Sequence, residues 1–467
     1  MGDRPTTLGA LRASGWRSRP VKEEIRANVV ARLRAGEPLV EGVLGYDDSV
    51  LPQLEHALLA GHDVIFLGER GQAKTKIIRS LVGLLDEWMP VVEGSEIHDD
   101  PFDPVSAYAR HRVAEEGDGT PVAWVHRRDR FGEKLATPDT SIADLIGEVD
   151  PIKVAEGRYL ADETTMHFGL VPRSNRGIFA INELPDLAER IQVGLLNVLE
   201  ERDVQVRGYR IRLPLDVMLV ASANPEDYTN RGRIITPLKD RFGAQIRTHY
   251  PLDVETEMAV VEQEAHPIEP EGLRVSVPDF MAEIVAELSH QARHSPHVNQ
   301  RSGVSVRLSI TNLETLVASA VRRALRHGES EAIPRISDLD ALAASTAGKV
   351  EIDALEEGRD AVVLDKIVKG ATLEVFRRRV PTERFGRVVG AFEDERVVHA
   401  GDDLPSADYV ALLDQIDGLR EIVESLAEGE SSGEVAAAVE LVLEGLHLSK
   451  RLNKDTTGSR ATYRGRV

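Results

Sequence analysis

The chain of 467 residues contains no cysteine, which excludes disulfide bridges and thiolate chemistry. Long apolar runs are also missing: no stretch offers the roughly 18 to 20 uninterrupted apolar residues of a membrane-spanning helix. The most apolar C-terminal run, GEVAAAVELVLEGL, carries three glutamates. The arginine-containing N-terminus lacks the apolar core of a secretory signal. We therefore expect a cytoplasmic protein without a membrane segment.

Positive charge is in deficit as well, since 57 lysines and arginines stand against 78 aspartates and glutamates, giving a net charge of −21. Nucleic acids and anionic membranes select basic surfaces, so general affinity for either is not expected. This makes a nucleic-acid translocase the least favoured of the functions considered below. The last stretch, SKRLNKDTTGSRATYRGRV, is an exception, because it is basic and polar, and we predict that it is mobile.

The order of apolar patterns predicts four regions. Up to about residue 250, compact aliphatic runs such as HDVIFLGE, GIFAINEL and DVMLVASAN alternate with segments of helical period, which is typical of a parallel α/β sheet. The segment ERDVQVRGYRIRLPLD alternates like a hairpin, and after Pro251 the pattern becomes helical. The predicted regions are a helical N-terminal segment (1–40), an α/β domain (41–250), an all-α domain (251–350) and a helical extension with a basic tail (351–467).

Residues 68–75, GERGQAKT, lie between the predicted strand HDVIFL and the amphipathic segment KIIRSLVGLL. This order of strand, loop and helix is the one that a phosphate-binding loop needs. In such a loop backbone N–H groups turn toward the phosphates, a lysine reaches the outer phosphates and a hydroxyl binds Mg²⁺. The predicted ATP-binding residues are Gly68, Glu69, Arg70, Gly71, Gln72, Ala73, Lys74 and Thr75, with Thr75 as a Mg²⁺ ligand.

Ala73 departs from the loop pattern, which has glycine before the lysine. A methyl group is tolerable there if φ is negative, and we expect that φ. The alternative is a strand-to-helix turn that merely contains glycine and lysine.

Asn182 and Glu183 end the predicted strand GIFAINEL, where nucleotide-hydrolysing proteins usually have Asp-Glu. Glu183 is the candidate general base for the attacking water, or alternatively an acid that stabilises the N-terminus of the helix that follows. Asn182 replaces the carboxylate that usually holds a magnesium-bound water. Its amide oxygen can still accept a hydrogen bond but brings no charge, so we expect weakened Mg²⁺ binding.

Taken in order, several motifs resemble the AAA+ ATPases of the MoxR and magnesium-chelatase group. They are the phosphate loop, TSIADLIGEVDPIKVAEG, FGLVPRSNRG, GIFAINEL, the hairpin before VASANPED, and ITPLKDRFG. The resemblance spans about residues 40 to 350 and implies a P-loop AAA+ core with a lid domain, a ring that is usually hexameric, and ATP between neighbouring subunits. It also implies that Asn224 orients the water, that Arg241 is an arginine finger and that Arg307 is a lid sensor.

Each arginine has an alternative role, because Arg241 could cap its helix or pair with Asp240, and Arg307 could be one cation of a solvated helix. Two motifs are missing: a GAFTGA-like loop, as found in enhancer-binding activators, and a DxSxS stretch, as found in metal-dependent adhesion domains. A von Willebrand-type adhesion domain would have to be a separate partner. We interpret the acidic segment with His98, Asp99, Asp100 and Asp103 as a solvated loop and not a metal site.

The leading hypothesis is an ATPase that remodels a protein client, as a chaperone or in metal or cofactor insertion, together with a von Willebrand-type partner. The alternative is a nucleotide-gated scaffold ring with little or no turnover, because of Asn182. The presence of Glu183, Asn224 and Arg241 favours the motor, since a chain that had abandoned hydrolysis would have little use for that set.

Overall fold

The computed structural model describes residues 4–149, 165–200, 204–206, 209–211, 213–224, 233–299, 303–352, 359–393, 396–427 and 429–466. The part of TSIADLIGEVDPIKVAEG from residue 150 onward and residues 225–232 after VASAN lie outside these ranges. The chain divides into two compact units, 1–249 and 250–467, and each is described by itself.

The first unit alternates helices and strands from its third helix onward. Its helices are α1 (Leu8–Ala13), α2 (Val21–Ala35), α3 (Val50–Ala60), α4 (Lys74–Ser80), α5 (Ala107–Glu116), α6 (Ile142–Leu145), α7 (Leu170–Arg173), α8 (Glu189–Glu200) and α9 (Thr236–Arg241). Its strands are β1 (Val64–Leu67), β2 (Trp88–Val92), β3 (Val122–His126), β4 (Phe131–Leu135), β5 (Gly147–Val149), β6 (Met166–Phe168), β7 (Gly177–Asn182), β8 (Val204–Val206), β9 (Tyr209–Ile211), β10 (Val217–Ala223) and β11 (Ala244–Arg247).

The central sheet of this unit has the order β11-β1-β10-β7-β4, and all four pairings are parallel. Its three inner strands, β1, β10 and β7, are buried and largely apolar on both faces, as expected for a covered parallel sheet. In β7, Ile178 and Ala180 pack on the side of α4, while Phe179 and Ile181 belong to the opposite hydrophobic cluster. The strand pairs β2–β3, β5–β6 and β8–β9 are antiparallel. The predicted strands and the predicted hairpin, β8–β9, are confirmed.

The acidic segment after β2 is not a solvated loop, so that interpretation is wrong for Asp99. This carboxylate is fully buried and accepts hydrogen bonds from Val105 N at 2.7 Å, Ser106 N at 2.8 Å, and the hydroxyls of Ser106 and Ser95 at 2.6 and 2.7 Å. Such bonds offset the cost of burying a charge. Asp99 therefore organises the turn that leads into α5.

The second unit is mainly helical. Its helices are α10 (Val254–Glu264), α11 (Asp279–His294), α12 (Arg307–His327), α13 (Leu342–Ala347), α14 (Arg359–Arg379), α15 (Phe385–Gly390), α16 (Ala407–Val410), α17 (Leu412–Gln415), α18 (Leu419–Leu426) and α19 (Ser432–Leu448). Its strands are β12 (Arg274–Val275), β13 (Glu331–Ala332), β14 (Val397–Gly401), β15 (Leu452–Thr457) and β16 (Arg460–Gly465). Residues of both predicted helical regions, 251–350 and 351–467, contribute to one hydrophobic cluster.

The basic C-terminal stretch forms an antiparallel hairpin, β15–β16, which pairs with β14, so the prediction of a mobile tail is wrong. Gly458, with φ of +61°, allows the tight turn, and the buried Tyr463 anchors the hairpin by donating to Glu444 at 2.5 Å. Burial, together with Glu444, raises the pKa of Tyr463 well above its usual value.

The apolar run GEVAAAVELVLEGL lies in α19, which is buried along most of its length. Its two buried glutamates are hydrogen-bonded, which makes their burial possible: Glu440 accepts from Tyr409 Oη at 2.6 Å and Glu444 also accepts from Lys454 Nζ at 2.7 Å. No helix in the described part of the chain combines the length and the apolar character that crossing a bilayer requires.

Candidate nucleotide-binding site

The predicted phosphate loop, residues 68–75, connects β1 to α4 at the carboxyl edge of the central sheet. β1 lies inside the sheet and pairs with β10 on one side and β11 on the other. The start of the loop is therefore fixed by a strand that is paired along both edges. Lys74 and Thr75 are the first two residues of α4, and Glu69 and Arg70 lie in the loop before it. The backbone of the loop therefore lies next to the N-terminus of α4, where a helix favours the binding of anions.

Gly68 lies where no side chain would fit. A Cβ atom there would come within 1.9 Å of Thr248 Oγ1 and 2.2 Å of Gln72 Oε1. Gln72 Oε1 in turn accepts from Glu69 N at 3.0 Å and from Thr248 Oγ1 at 2.7 Å, so the buried glutamine fixes the turn of the loop. Gly71 adopts a φ of +76°, which is easily accessible only to glycine.

Two residues outside the motif also hold the loop. Tyr46 Oη donates to the carbonyl oxygens of Gln72 at 3.0 Å and of His249 at 2.7 Å. Burial raises the pKa of Tyr46 to about 12, so it remains a donor at any physiological pH. Thr248 follows β11 and bonds through its backbone N to Leu67 O at 2.9 Å. Sequence reasoning missed both residues, because neither belongs to a contiguous motif.

Ala73 has a φ of +53° and lies in the left-handed region, so the expected negative φ is wrong. The loop requires this turn to begin α4 at Lys74, and glycine would meet the requirement without strain. The loop thus has the conformation expected with glycine at this position. With alanine there, that conformation carries a cost in conformational energy.

We expect Ala73→Gly to stabilise the first unit by about 1 kcal/mol, because glycine adopts positive φ without the steric clash of a Cβ. Thermal unfolding of the wild type and variant would measure this. The matched control is Ala31→Gly at an exposed position inside α2, where the same change should destabilise by about 1 kcal/mol. Equal effects of the two changes would contradict the strain at Ala73.

Lys74 is buried, and its ammonium group is held at the mouth of the loop. It donates to the carbonyl oxygens of Gly68 and Glu69 and to Asn224 Oδ1, the latter two at 2.7 and 2.8 Å. A buried cation needs such partners. The loop therefore places a positive charge directly beside the end of β10.

Asn224 and Glu183 are brought together at the ends of β10 and β7. Asn224 Nδ2 donates to Glu183 Oε2 at 2.8 Å, while its Oδ1 accepts from Lys74. Glu183 has a φ of +57°, an unusual conformation for a non-glycine residue. Positive φ in such a residue often marks a functional constraint, because the surroundings must hold it. Lys74, Asn224 and Glu183 thus form one hydrogen-bonded chain.

Asn182 is buried one residue earlier, at the end of β7, and both ends of its amide have partners. Its Oδ1 accepts from Ser222 Oγ at 3.2 Å, and its Nδ2 donates to Glu133 Oε1 at 2.6 Å. Ser222 Oγ also accepts from Glu183 N at 3.3 Å. Glu133, on the adjacent strand β4, is therefore a carboxylate beside this position that sequence reasoning did not identify.

The two predicted arginines lie in different units. Arg241 is the last residue of α9 in the first unit, and its side chain is exposed. Arg307 is the first residue of α12 in the second unit and is exposed as well. Among the described residues of the first unit, Arg241 is not a member of the hydrogen-bonded chain of Lys74, Asn224 and Glu183. The roles assigned to the two arginines remain predictions.

Comparison with known proteins finds one matching family model and relatives among magnesium-chelatase subunits. Residues 154–241 match the family described as the sigma-54 interaction domain, a range that includes β7, Asn224 and Arg241. The chain is 28% identical over 293 residues to the magnesium-chelatase subunit ChlI-1 of Arabidopsis thaliana, covering 56% of this chain and 65% of that protein. It is 31% identical over 210 residues to the magnesium-chelatase 38 kDa subunit of Cereibacter sphaeroides, covering 42% and 54%.

The chain thus spans between about half and two thirds of the length of these two relatives. Among solved structures, it resembles a chain in the complex of magnesium-chelatase subunits BchI and BchD, at 21% identity. That match covers 70% of this chain and 98% of the other, with a TM-score of 0.35. The relatives found by sequence carry the comparison.

Proposed function

We propose that this chain is an AAA+ protein of the MoxR and magnesium-chelatase group, a motor that hydrolyses ATP to ADP and phosphate in order to remodel a client. The observation that carries the proposal is the chain of hydrogen bonds from Lys74 through Asn224 to Glu183. It links the cation of the phosphate loop to a carboxylate at the adjacent strand ends. Such a link is expected where the group that binds the outer phosphate acts together with the group that activates water.

In binding, residues of the loop meet the phosphates. The N–H groups at the start of α4 and the ammonium of Lys74 would bind the phosphate oxygens, and the Thr75 hydroxyl would hold Mg²⁺. The hydroxyl of Thr75 and the amide oxygen of Asn182 are hard oxygen donors of the kind that this ion requires. When bound, Mg²⁺ neutralises negative charge on the phosphate oxygens.

In hydrolysis, Glu183 accepts the proton of the attacking water, and Asn224 orients that water and the carboxylate. Glu183 is held at two points, because its backbone N donates to Ser222 Oγ and its Oε2 accepts from Asn224 Nδ2. Holding a base in one orientation lowers the barrier by removing motions that would otherwise have to be frozen in the transition state.

We extend the proposal to an assembly. In a hexameric ring, the exposed Arg241 would enter the site of the neighbouring subunit, and Arg307 would sense the nucleotide from the lid. The names of the relatives, which are magnesium-chelatase subunits, suggest metal or cofactor insertion as the pathway. As a separate partner we propose a von Willebrand-type protein. Capture of a protein with an adhesion domain on the tagged chain, in the presence of ATP, would support this. Capture that does not depend on nucleotide would contradict it.

A second candidate, a nucleotide-gated scaffold ring with little turnover, is favoured by one observation. The amide of Asn182 brings no charge to the strand end and donates its N–H to Glu133. Steady-state hydrolysis by the assembled wild type at saturating Mg²⁺, with its partner present, separates the two. Measurable turnover supports the motor, and its absence supports the scaffold.

We expect Lys74→Ala to weaken ATP binding roughly 10- to 100-fold, because charged hydrogen bonds to the outer phosphates contribute about 1.5–3 kcal/mol. Titration with a fluorescent ATP analogue would measure the affinity. The control is Lys366→Ala at an exposed position on α14, which should bind as the wild type does. Unchanged affinity in Lys74→Ala would refute the phosphate-loop assignment and the proposed function with it.

A further inference from the structure

Glu133 is a carboxylate next to the strand end that lacks one. It lies on β4, which pairs in parallel with β7 so that Glu133 is opposite Ala180 and Leu135 is opposite Asn182. Its Oε1 accepts from Asn182 Nδ2 at 2.6 Å. The negative charge that is missing from the end of β7 is therefore present one strand away, in direct contact with the amide that replaced it.

Glu133 also lies beside the helix that carries the predicted Mg²⁺ ligand. Its Oε2 accepts from Arg79 Nε at 2.8 Å, and Arg79 is four residues after Thr75 on α4. Residues at this spacing lie on the same face of a helix, about one turn apart. The carboxylate of Glu133 is thus close to the face of α4 that carries Thr75. The Glu133 side chain is mostly buried.

Resting on the proposed function, we infer that Glu133 positions Asn182 and supplies through it the negative charge for the Mg²⁺ that accompanies ATP. By accepting from Nδ2, Glu133 orients the amide so that its oxygen faces Ser222 Oγ on the neighbouring strand β10. An adjacent carboxylate also polarises the amide and makes its oxygen a better acceptor for a metal-bound water. Asn182 thus supplies the acceptor oxygen and Glu133, on the neighbouring strand, supplies the negative charge. In proteins with aspartate at the position of Asn182, one side chain supplies both.

A purely structural role for Glu133 would rest on its ion pair with Arg79. The Arg79 side chain is 64% exposed, and exposed ion pairs contribute little to stability. If that pair were the reason for Glu133, removal of either partner would have the same effect. If Glu133 instead contributes negative charge to the Mg²⁺ site, removal of Arg79 frees the carboxylate from a competing cation. Removal of Glu133 should then weaken the Mg²⁺ contribution to ATP binding, and removal of Arg79 should not.

The experiment measures the affinity of the full-length chain for ATP with Mg²⁺ and with EDTA, and the ratio of the two reports the contribution of the metal. Glu133→Gln keeps an acceptor oxygen for Asn182 but loses the charge. We expect the ratio to fall roughly tenfold, as is typical when an outer-shell metal partner is lost. Arg79→Ala should leave the ratio unchanged or raise it. In EDTA, both Glu133→Gln and Arg79→Ala should bind ATP with nearly the affinity of the wild type.

Two further variants test the route through Asn182. Glu133→Gln combined with Asn182→Asp should recover the wild-type ratio, because the carboxylate moves to the strand end. In an Asn182→Ala background, Glu133→Gln should change the ratio by less than twofold, because the residue through which Glu133 acts is gone. If Glu133→Gln does not fold, as judged by circular dichroism, Arg79→Ala carries the test: an unchanged or raised ratio supports the inference, and a tenfold fall overturns it.

An unchanged ratio in Glu133→Gln, or an equal loss in Arg79→Ala, would overturn the inference while leaving the proposed function intact. A tenfold loss that persists in the Asn182→Ala background would also overturn it, since Glu133 would then act without Asn182. Absence of ATP binding in the wild type would overturn both the inference and the proposed function.

Discussion

Glu183→Gln should retain bound ATP and lose most hydrolysis, by about 100- to 10,000-fold, because glutamine cannot accept the proton of the attacking water. Glutamine has nearly the same shape and can still accept from Asn224 Nδ2, so the phosphate loop and the lysine stay in place. The measurement pairs steady-state release of phosphate with the amount of nucleotide that remains on the protein after gel filtration. The wild type should release phosphate and retain mainly ADP, whereas the variant should retain ATP.

The control for this variant is Glu116→Gln at the end of α5, where a carboxylate pairs with Arg112 on the surface of the same unit. Its turnover should match that of the wild type. Hydrolysis by Glu183→Gln at the wild-type rate would show that Glu183 is only an acid at a helix N-terminus. Absence of turnover in the assembled wild type as well would leave the scaffold ring as the better account.

The fold class was predictable because it depends on patterns local to the sequence. The strands β1, β7 and β10 are continuous apolar runs that a parallel sheet buries on both faces, and each is followed by a turn residue or a polar residue. The loop before Lys74 is likewise contiguous, so its glycines and its lysine could be identified together. The structure confirms the α/β core with a parallel sheet and the mainly helical second unit.

The errors arose where a residue's state depends on distant partners. Asp99 looks like part of a solvated acidic segment, but the serines and backbone around it bury it completely. The C-terminal stretch is basic and polar, yet Tyr463 finds a buried glutamate on α19, which a linear pattern cannot show. Ala73 adopts positive φ because the loop as a whole imposes it, although alanine by itself disfavours that region.

The residues that meet at this sheet edge were named from the sequence, but their contacts with one another were not predicted. Lys74, Asn224 and Glu183 are far apart in the sequence and meet because β1, β10 and β7 are neighbours in the sheet. Tyr46, Thr248 and Glu133 were missed because each acts from an element without a motif of its own. A carboxylate on the strand beside an Asn-Glu end could have been sought from the sequence, had the order of the strands been known.

Arg241→Ala should leave ATP binding nearly intact and reduce hydrolysis by about 1,000-fold or more, the range over which arginine fingers act. The reason is that the guanidinium meets charge that develops on the phosphate oxygens mainly in the transition state. The exposure of Arg241 at the end of α9 suits a group that serves the site of a neighbouring subunit. Arg34→Ala, which removes an exposed arginine in the last turn of α2, is the control and should hydrolyse ATP as the wild type does.

Mixing the two inactive variants tests whether Arg241 acts between subunits. In rings that contain both Arg241→Ala and Glu183→Gln chains, some sites combine the Glu183 of one subunit with the Arg241 of its neighbour. Activity should therefore reappear on mixing and be highest near equal proportions, because the number of such complete interfaces is greatest there. Rings of either variant alone contain none and should stay inactive at every concentration. A failure to regain activity at any ratio, with mixed rings demonstrated by co-purification of two different tags, would place Arg241 outside the neighbour's site and return it to the role of a helix cap.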